Sequence, residues 1–161
     1  MENIEIRRAV PGDETLILDF IRELADYEHM LDEVVATEEL LHEWLFEKHG
    51  AEVVFAVADG KEVGFALFFG NFSTFLGRGG IYLEDLFVKP EYRGHGCGRA
   101  LLRYLARTAL DRGCGHDSAG YPSDDLCGHL FLRGPQVLLY LPADHSGIHA
   151  ALCADFREPE A

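Results

Sequence analysis

Apolar and polar residues alternate over Ile4–Val10, which predicts a strand with one buried face. Pro11-Gly12-Asp13 breaks that strand and opens a helix, because Leu16, Ile17, Phe20, Ile21 and Leu24 then recur at helical spacing up to about Tyr27. An acidic, polar stretch over 28–36 leads to Thr37, an N-cap for a second helix that runs to about His49-Gly50 and carries Trp44 at core spacing. His29 and His49 read as surface residues. Glu52–Ala58 is apolar enough for a buried strand, Asp59-Gly60 signals a hairpin, and Glu62–Phe69 supplies the partner strand. Residues 70–80, ending in Gly77-Arg78-Gly79-Gly80, read as an aromatic-containing loop before a strand over Ile81–Val88. A helix over Gly98–Arg112 buries Ala100, Leu101, Leu102, Leu105, Ala109 and Leu110, and Gly113-Cys114-Gly115 ends it.

Beyond Gly115 the periodicity deteriorates, and Val137–Leu141 is the one segment with strand character. No internal repeat or linker divides the chain. The pattern therefore predicts an α/β fold, a mixed central sheet with flanking helices, in a single domain over 1–161. Residues 1–115 form its regular core and 116–161 an atypical tail.

Composition narrows the function. With 161 residues, 48% of them hydrophobic, the chain can bury a sizeable core. No stretch approaches the roughly 18 apolar residues of a membrane span, and Met1–Glu5 lacks the marks of a signal peptide. A cytoplasmic protein without membrane partners is the expectation. Cys97, Cys114, Cys127 and Cys153 show no paired spacing and read as free thiols. A net charge of −14 argues against nucleic acid as a partner and would concentrate a cationic substrate.

The candidate chemistry starts at Arg93-Gly94-His95-Gly96-Cys97-Gly98, which joins a strand to a helix. Amides at a helix N-terminus attract anions, and glycines let the backbone approach a bulky diphosphate closely. Arg93 adds positive charge. A Walker P-loop is excluded because Gly98 is followed by Arg99-Ala100 rather than by Lys and Ser or Thr. A dinucleotide fold would place its glycines after the first strand, not after about the fourth.

The full segment from Ile81-Tyr82-Leu83-Glu84-Asp85-Leu86-Phe87-Val88 through the glycines to Arg99-Ala100-Leu101-Leu102 resembles the cofactor motif of the GNAT acetyltransferase superfamily. Together with Glu23-Leu24-Ala25-Asp26-Tyr27-Glu28-His29-Met30, it is similar to the diamine and thialysine acetyltransferase branch. The resemblance implies acetyl-CoA as cosubstrate, with the main chain of Leu86, Phe87 and Val88 pairing with its pantetheine arm. Arg93, Gly94, His95, Gly96, Cys97, Gly98 and Arg99 would cradle the pyrophosphate. Glu84 is implied as the carboxylate that takes the proton of the attacking amine. Strand alternation sets it on the opposite face from Asp85. Tyr27, Glu28 and Glu84 are implied as contacts for a small cationic amine. No metal is implied, and a homodimer is, with Phe72 and Phe75 available to it.

After the cofactor helix the family carries an Asn-x-x-Ala-x-x-Phe-Tyr segment whose Tyr protonates the departing thiolate. Here no Asn follows Asn71, and neither Tyr121 nor Tyr140 stands in a Phe-Tyr pair. Tyr140 as a substitute acid, and a metal pair at His145 and His149 beside Asp144, are weaker alternatives. The tail is either a divergent C-terminus or the product of a frameshift or alternative splice; the abrupt end of the resemblance favours the second. Two other functions stay open, a peptide N-acetyltransferase and a non-catalytic acyl-CoA-binding regulator.

Overall fold

In the computed structural model the described residues are 4–74 and 77–114, together with the backbone of Val137–Leu138. Strand β1 (Ile4–Arg8) pairs antiparallel with β2 (Glu52–Ala58), β2 with β3 (Lys61–Ser73), and β3 with β4 (Arg78–Val88). A short β5 (Val137–Leu138) lies parallel to β4 at Ile81 and Tyr82, so the sheet is mixed, in the order β1-β2-β3-β4-β5. Helix α1 (Glu14–Tyr27) and helix α2 (Glu38–His42) follow β1, and α3 (Cys97–Asp111) follows β4.

The sheet is buried on both faces, which is why β2 reads as a nearly continuous apolar run. Val54, Ala56 and Ala58 pack with Leu101, Leu102 and Leu105 of α3. Val53 and Phe55 pack on the other side with Ile17, Phe20 and Leu24 of α1. Phe20 centres that second layer, with its ring 5.2 Å from Phe65, 5.8 Å from Phe55 and 6.5 Å from Phe87. Arg7 fastens β1 to the start of α1 through two hydrogen bonds to Asp13, at 2.8 and 3.0 Å.

Three expectations are corrected. Residues 70–73 and 78–80 are strand rather than loop: β3 and β4 continue as a ribbon pairing Gly70 with Ile81, Asn71 with Gly80 and Phe72 with Gly79. Main-chain pairing needs no side chains, so a glycine-rich segment can still complete a ladder. Trp44 is not in the core but 53% exposed. Beyond His42 the helix widens into a π-turn over Glu43–Glu47, with Lys48 N–H donating to Glu43 O at 2.8 Å. The wider turn keeps Leu41 and Leu45 inward and rotates Trp44 out, where Lys48 Nζ lies 4.3 Å from its ring. On α3, Leu110 is 39% exposed, while Ala106 joins the buried stripe beside Leu105 and Ala109. His29 and His49 are exposed, in keeping with the sequence.

Candidate active site

The sheet carries a break in register at the centre of β4. Leu67 pairs with Asp85, but the next residue, Phe68, pairs with Leu83, so Glu84 is an extra residue without an opposite number. Such a bulge resets alternation. Leu83 and Leu86 both pack into the α3-side core, although they stand an odd three positions apart. Tyr82 stacks on Phe69 at 4.9 Å, on the face opposite Leu83; counting on from it places Glu84 toward α1. Counting back from Phe87, which lies in the α1-side core, places Asp85 there too. The expectation that Glu84 and Asp85 point to opposite faces is therefore wrong, because the bulge turns both to the same side.

Glu28 joins them from the end of α1. The Asp85 carboxyl is half-buried and pushed up to about 6, first by burial and then by the negative charges of Glu84 and Glu28. Glu84 itself is exposed. Sequence reasoning passed over Asp85, and nothing in the residue string alone signals the inserted position. Tyr27 stands above this acidic face, 45% exposed, with its ring 6.4 Å from Phe87.

The same strand offers its outer edge. Lys89 N–H donates to Val63 O at 2.9 Å, so the opposed residues Gly64 and Val88 turn their own N–H and C=O groups away from each other. By alternation Leu86 and Val88 present main-chain groups on the outer edge, while those of Phe87 face β3 and its side chain forms the floor under α1. Among the described residues β5 covers this edge only at Ile81 and Tyr82.

A turn at Pro90–Tyr92 leads to Gly94 and Gly96, which take φ of 75° and 87°. Gly96 caps α3 in the left-handed conformation, and the helical ladder begins with Ala100 N–H donating to Gly96 O at 2.9 Å. The amides of the preceding turn thus point out of the positive end of a 15-residue helix. A side chain at Gly96 would combine left-handed strain with contact to Ile4 Cδ1 at 3.7 Å. These residues fit an anionic diphosphate. Cys97 and Gly98 are buried, so their contribution to such a cradle is main chain only, and the Cys97 thiol belongs to the α3-side core. His95 is exposed, with Nδ1 2.8 Å from Arg93 O, and Arg99 is half-buried. Arg93 turns away from the helix end: its Nε–H donates to Val88 O at 2.9 Å and its guanidinium lies over the Tyr27 ring at 4.7 Å.

The structure therefore gathers Tyr27, Glu28, Glu84 and Asp85 on one side of β4's outer edge and places the glycine turn beyond it. A second acidic hollow, lined by Glu14, Glu38, Glu39, His42, Glu43 and Glu47, adjoins the opposite end of α1. There His42 Nδ1 is 2.6 Å from Glu14 Oε1, and that contact holds the Glu14 carboxyl below its ordinary range. Among the described residues no group of His, Cys, Asp and Glu could hold a metal, and no helix is long and apolar enough to cross a membrane. Tyr121, Tyr140, Asp144, His145 and His149, and Phe75, lie outside the described residues.

Beside the outer edge of β4 stand a glycine-capped helix and an acidic face, and the comparison with known families gives the class of protein: the acetyltransferase (GNAT) family model matches residues 18–121, and the chain belongs to that family. It is an N-acetyltransferase whose relatives fall in the diamine and thialysine branch. The thialysine N-epsilon-acetyltransferase of Sus scrofa is 42% identical over 123 residues, covering 71% of this chain and 72% of that one. The spermidine/spermine N(1)-acetyltransferase-like protein 1 of Homo sapiens is 31% identical over 122 residues, covering 71% of this chain but 17% of the longer protein. Among solved structures, the ribosomal-protein-alanine N-acetyltransferase of Brucella melitensis biovar Abortus 2308 shares the fold. Its TM-score is 0.55 at 25% identity, over 69% of this chain and 74% of that one.

Proposed function

We propose that the chain transfers acetyl from acetyl-CoA to a primary amine of a small cationic substrate, a polyamine or a thialysine-like amino acid. The observation that carries this reading is the bulge, which turns two adjacent carboxylates toward Glu28 beside an open strand edge. Acetyl-CoA supplies a thioester carbonyl carbon for the amine nitrogen to attack and a thiolate that leaves. The chain's residues do the rest. Gly94 to Arg99 hold the pyrophosphate through main-chain amides at the positive end of α3. Leu86 and Val88 receive the pantetheine arm as an added strand, and the Leu86 N–H polarises the carbonyl.

An amine attacks only as the free base, so the ammonium must first lose a proton. Glu84, exposed on the acidic face, takes it directly or through water. Asp85 and Glu28 attract the cation and lower the cost of bringing it against the apolar floor of Phe87. A homodimer in the cytoplasm completes the reading, and sedimentation of the full chain checks the first part.

The decisive experiment pairs calorimetric titration with acetyl-CoA and a thiol-release assay over spermidine, thialysine and short peptides. Turnover of the two small amines supports the proposal, and preference for peptides moves the substrate class. Acetyl-CoA binding without turnover supports a regulatory binder, a reading favoured by the absent Phe-Tyr segment.

A further inference from the structure

Arg93 opens the glycine turn, where its charge is expected to face the cofactor's phosphates. Its side chain is engaged elsewhere. The Nε–H donates to the Val88 carbonyl at 2.9 Å, and the guanidinium lies 4.7 Å from the Tyr27 ring centre and 5.5 Å from that of Phe87. A planar guanidinium bonded at one edge and packed against two rings has little freedom left. Three elements meet there: the glycine turn, the outer edge of β4 and the last residue of α1.

That contact falls at the end of α1. After Glu28 the chain reverses through His29 at φ 60°, closed by Met30 N–H to Ala25 O at 2.8 Å and His29 N–H to Asp26 O at 3.1 Å. Tyr27 is 45% exposed, so packing alone does not fix its ring. Its neighbour Glu28 is one of the charges acting on Asp85. Tyr27 and Glu28 are consecutive at the helix end, so a contact that holds the Tyr27 ring also acts on the placement of Glu28 beside the bulge.

We propose that Arg93 is a positioning residue for the amine site: it pins Tyr27, and with it Glu28, against β4, and so couples filling of the glycine turn to affinity for the amine. The inference rests on the amine-acetyltransferase reading above. Coupling of this kind is reciprocal, since a ligand that orders the turn must tighten the second ligand by the same factor as the second tightens the first.

The test titrates the full chain with CoA, and with thialysine in the presence and absence of CoA, so that no turnover intervenes. In the wild type, CoA is expected to tighten thialysine by about fivefold or more, the lower end of ordinary coupling. Arg93→Met should weaken thialysine by roughly tenfold and reduce the coupling to about onefold, with CoA affinity changed by no more than about threefold, because one positioning contact is lost and the phosphate cradle is not. Arg93→Lys, which keeps a charge over the ring, should recover part of the loss. Tyr27→Leu should reproduce the Arg93→Met effect and add little to it in the double variant. The inference is overturned if Arg93→Met weakens CoA by about tenfold or more while thialysine and the coupling stay as in the wild type; the guanidinium would then serve the phosphates. If the wild type binds CoA but no amine, the substrate reading falls instead. Urea denaturation of the same single and double variants then judges the contact: non-additive losses support it and additive losses overturn it.

Discussion

The two faces of β4 solve different problems with different parts of the chain. On the α3 side, the proposed cofactor cradle is a property of backbone: Gly94, Gly96 and the first turn of α3 offer amides, and the Cys97 side chain is buried in the core. On the α1 side, the proposed amine site is a property of side chains, with Glu84, Asp85 and Glu28 brought together by an inserted residue. A backbone site built on left-handed glycines opposes an added Cβ through its positive φ but accepts many side chains nearby. A side-chain site is sensitive to the removal of one carboxylate and to how the end of α1, where Glu28 is the cap, is held.

That contrast can be broken in order of effect. Glu84→Gln should lower turnover of a small amine by about a hundredfold, the low end for loss of a general base, and flatten its rise with pH. Acetyl-CoA affinity should hardly move; if turnover holds instead, Glu84 leaves the mechanism. Gly96→Val should do the reverse, weakening acetyl-CoA by roughly tenfold as the left-handed cap is strained by about 1–3 kcal/mol. Thialysine affinity measured without cofactor should be unchanged in that variant.

Asp85→Asn sharpens the comparison through stability. A carboxyl whose folded value is raised from 3.8 to about 6 is protonated in both states well below 3.8 and costs nothing there. As pH rises from 3.8 to about 6 the unfolded chain ionises while burial and two like charges hold the folded group protonated, a penalty that builds to about 3 kcal/mol and stays constant above that window. The Asn variant should therefore unfold at higher urea than the wild type at neutral and alkaline pH, with the gap closing as pH falls below 3.8, while binding cations less well. The smallest effect concerns the same group. Glu84→Gln should lower the Asp85 titration partway toward its ordinary range, read by carboxyl carbon NMR, because Glu84 is the second cause of the shift after burial.

The difference between the faces also governs what the sequence discloses. Glycines at 94, 96 and 98 are informative as letters, since a missing Cβ is itself the function. Helices α1 and α3 were legible for a similar reason: their stripes repeat often enough to be counted. The bulge at Glu84 has no letter of its own, because Leu-Glu-Asp-Leu is compatible with a regular strand. Trp44 was misplaced by the same kind of event in a helix, where one π-turn shifted the count. The glycines of 70–80 misled in the opposite direction, reading as a loop where main-chain pairing continued. Periodicity reports side-chain-patterned elements such as α1 and α3, and reports a one-residue slip within an element not at all.

The slip at Glu84 also makes β4 tolerant of one particular change in length. Removing a single residue between Leu83 and Leu86 would restore perfect alternation and leave the ladder to β3 intact, so the strand itself would be no worse formed. Leu83 and Leu86 would both still face α3 and Phe87 would still face α1, while the acidic face would lose one of its two adjacent carboxylates. A three-nucleotide deletion at this position would therefore cost what a substitution costs, one side chain, and leave both faces of the strand where they are.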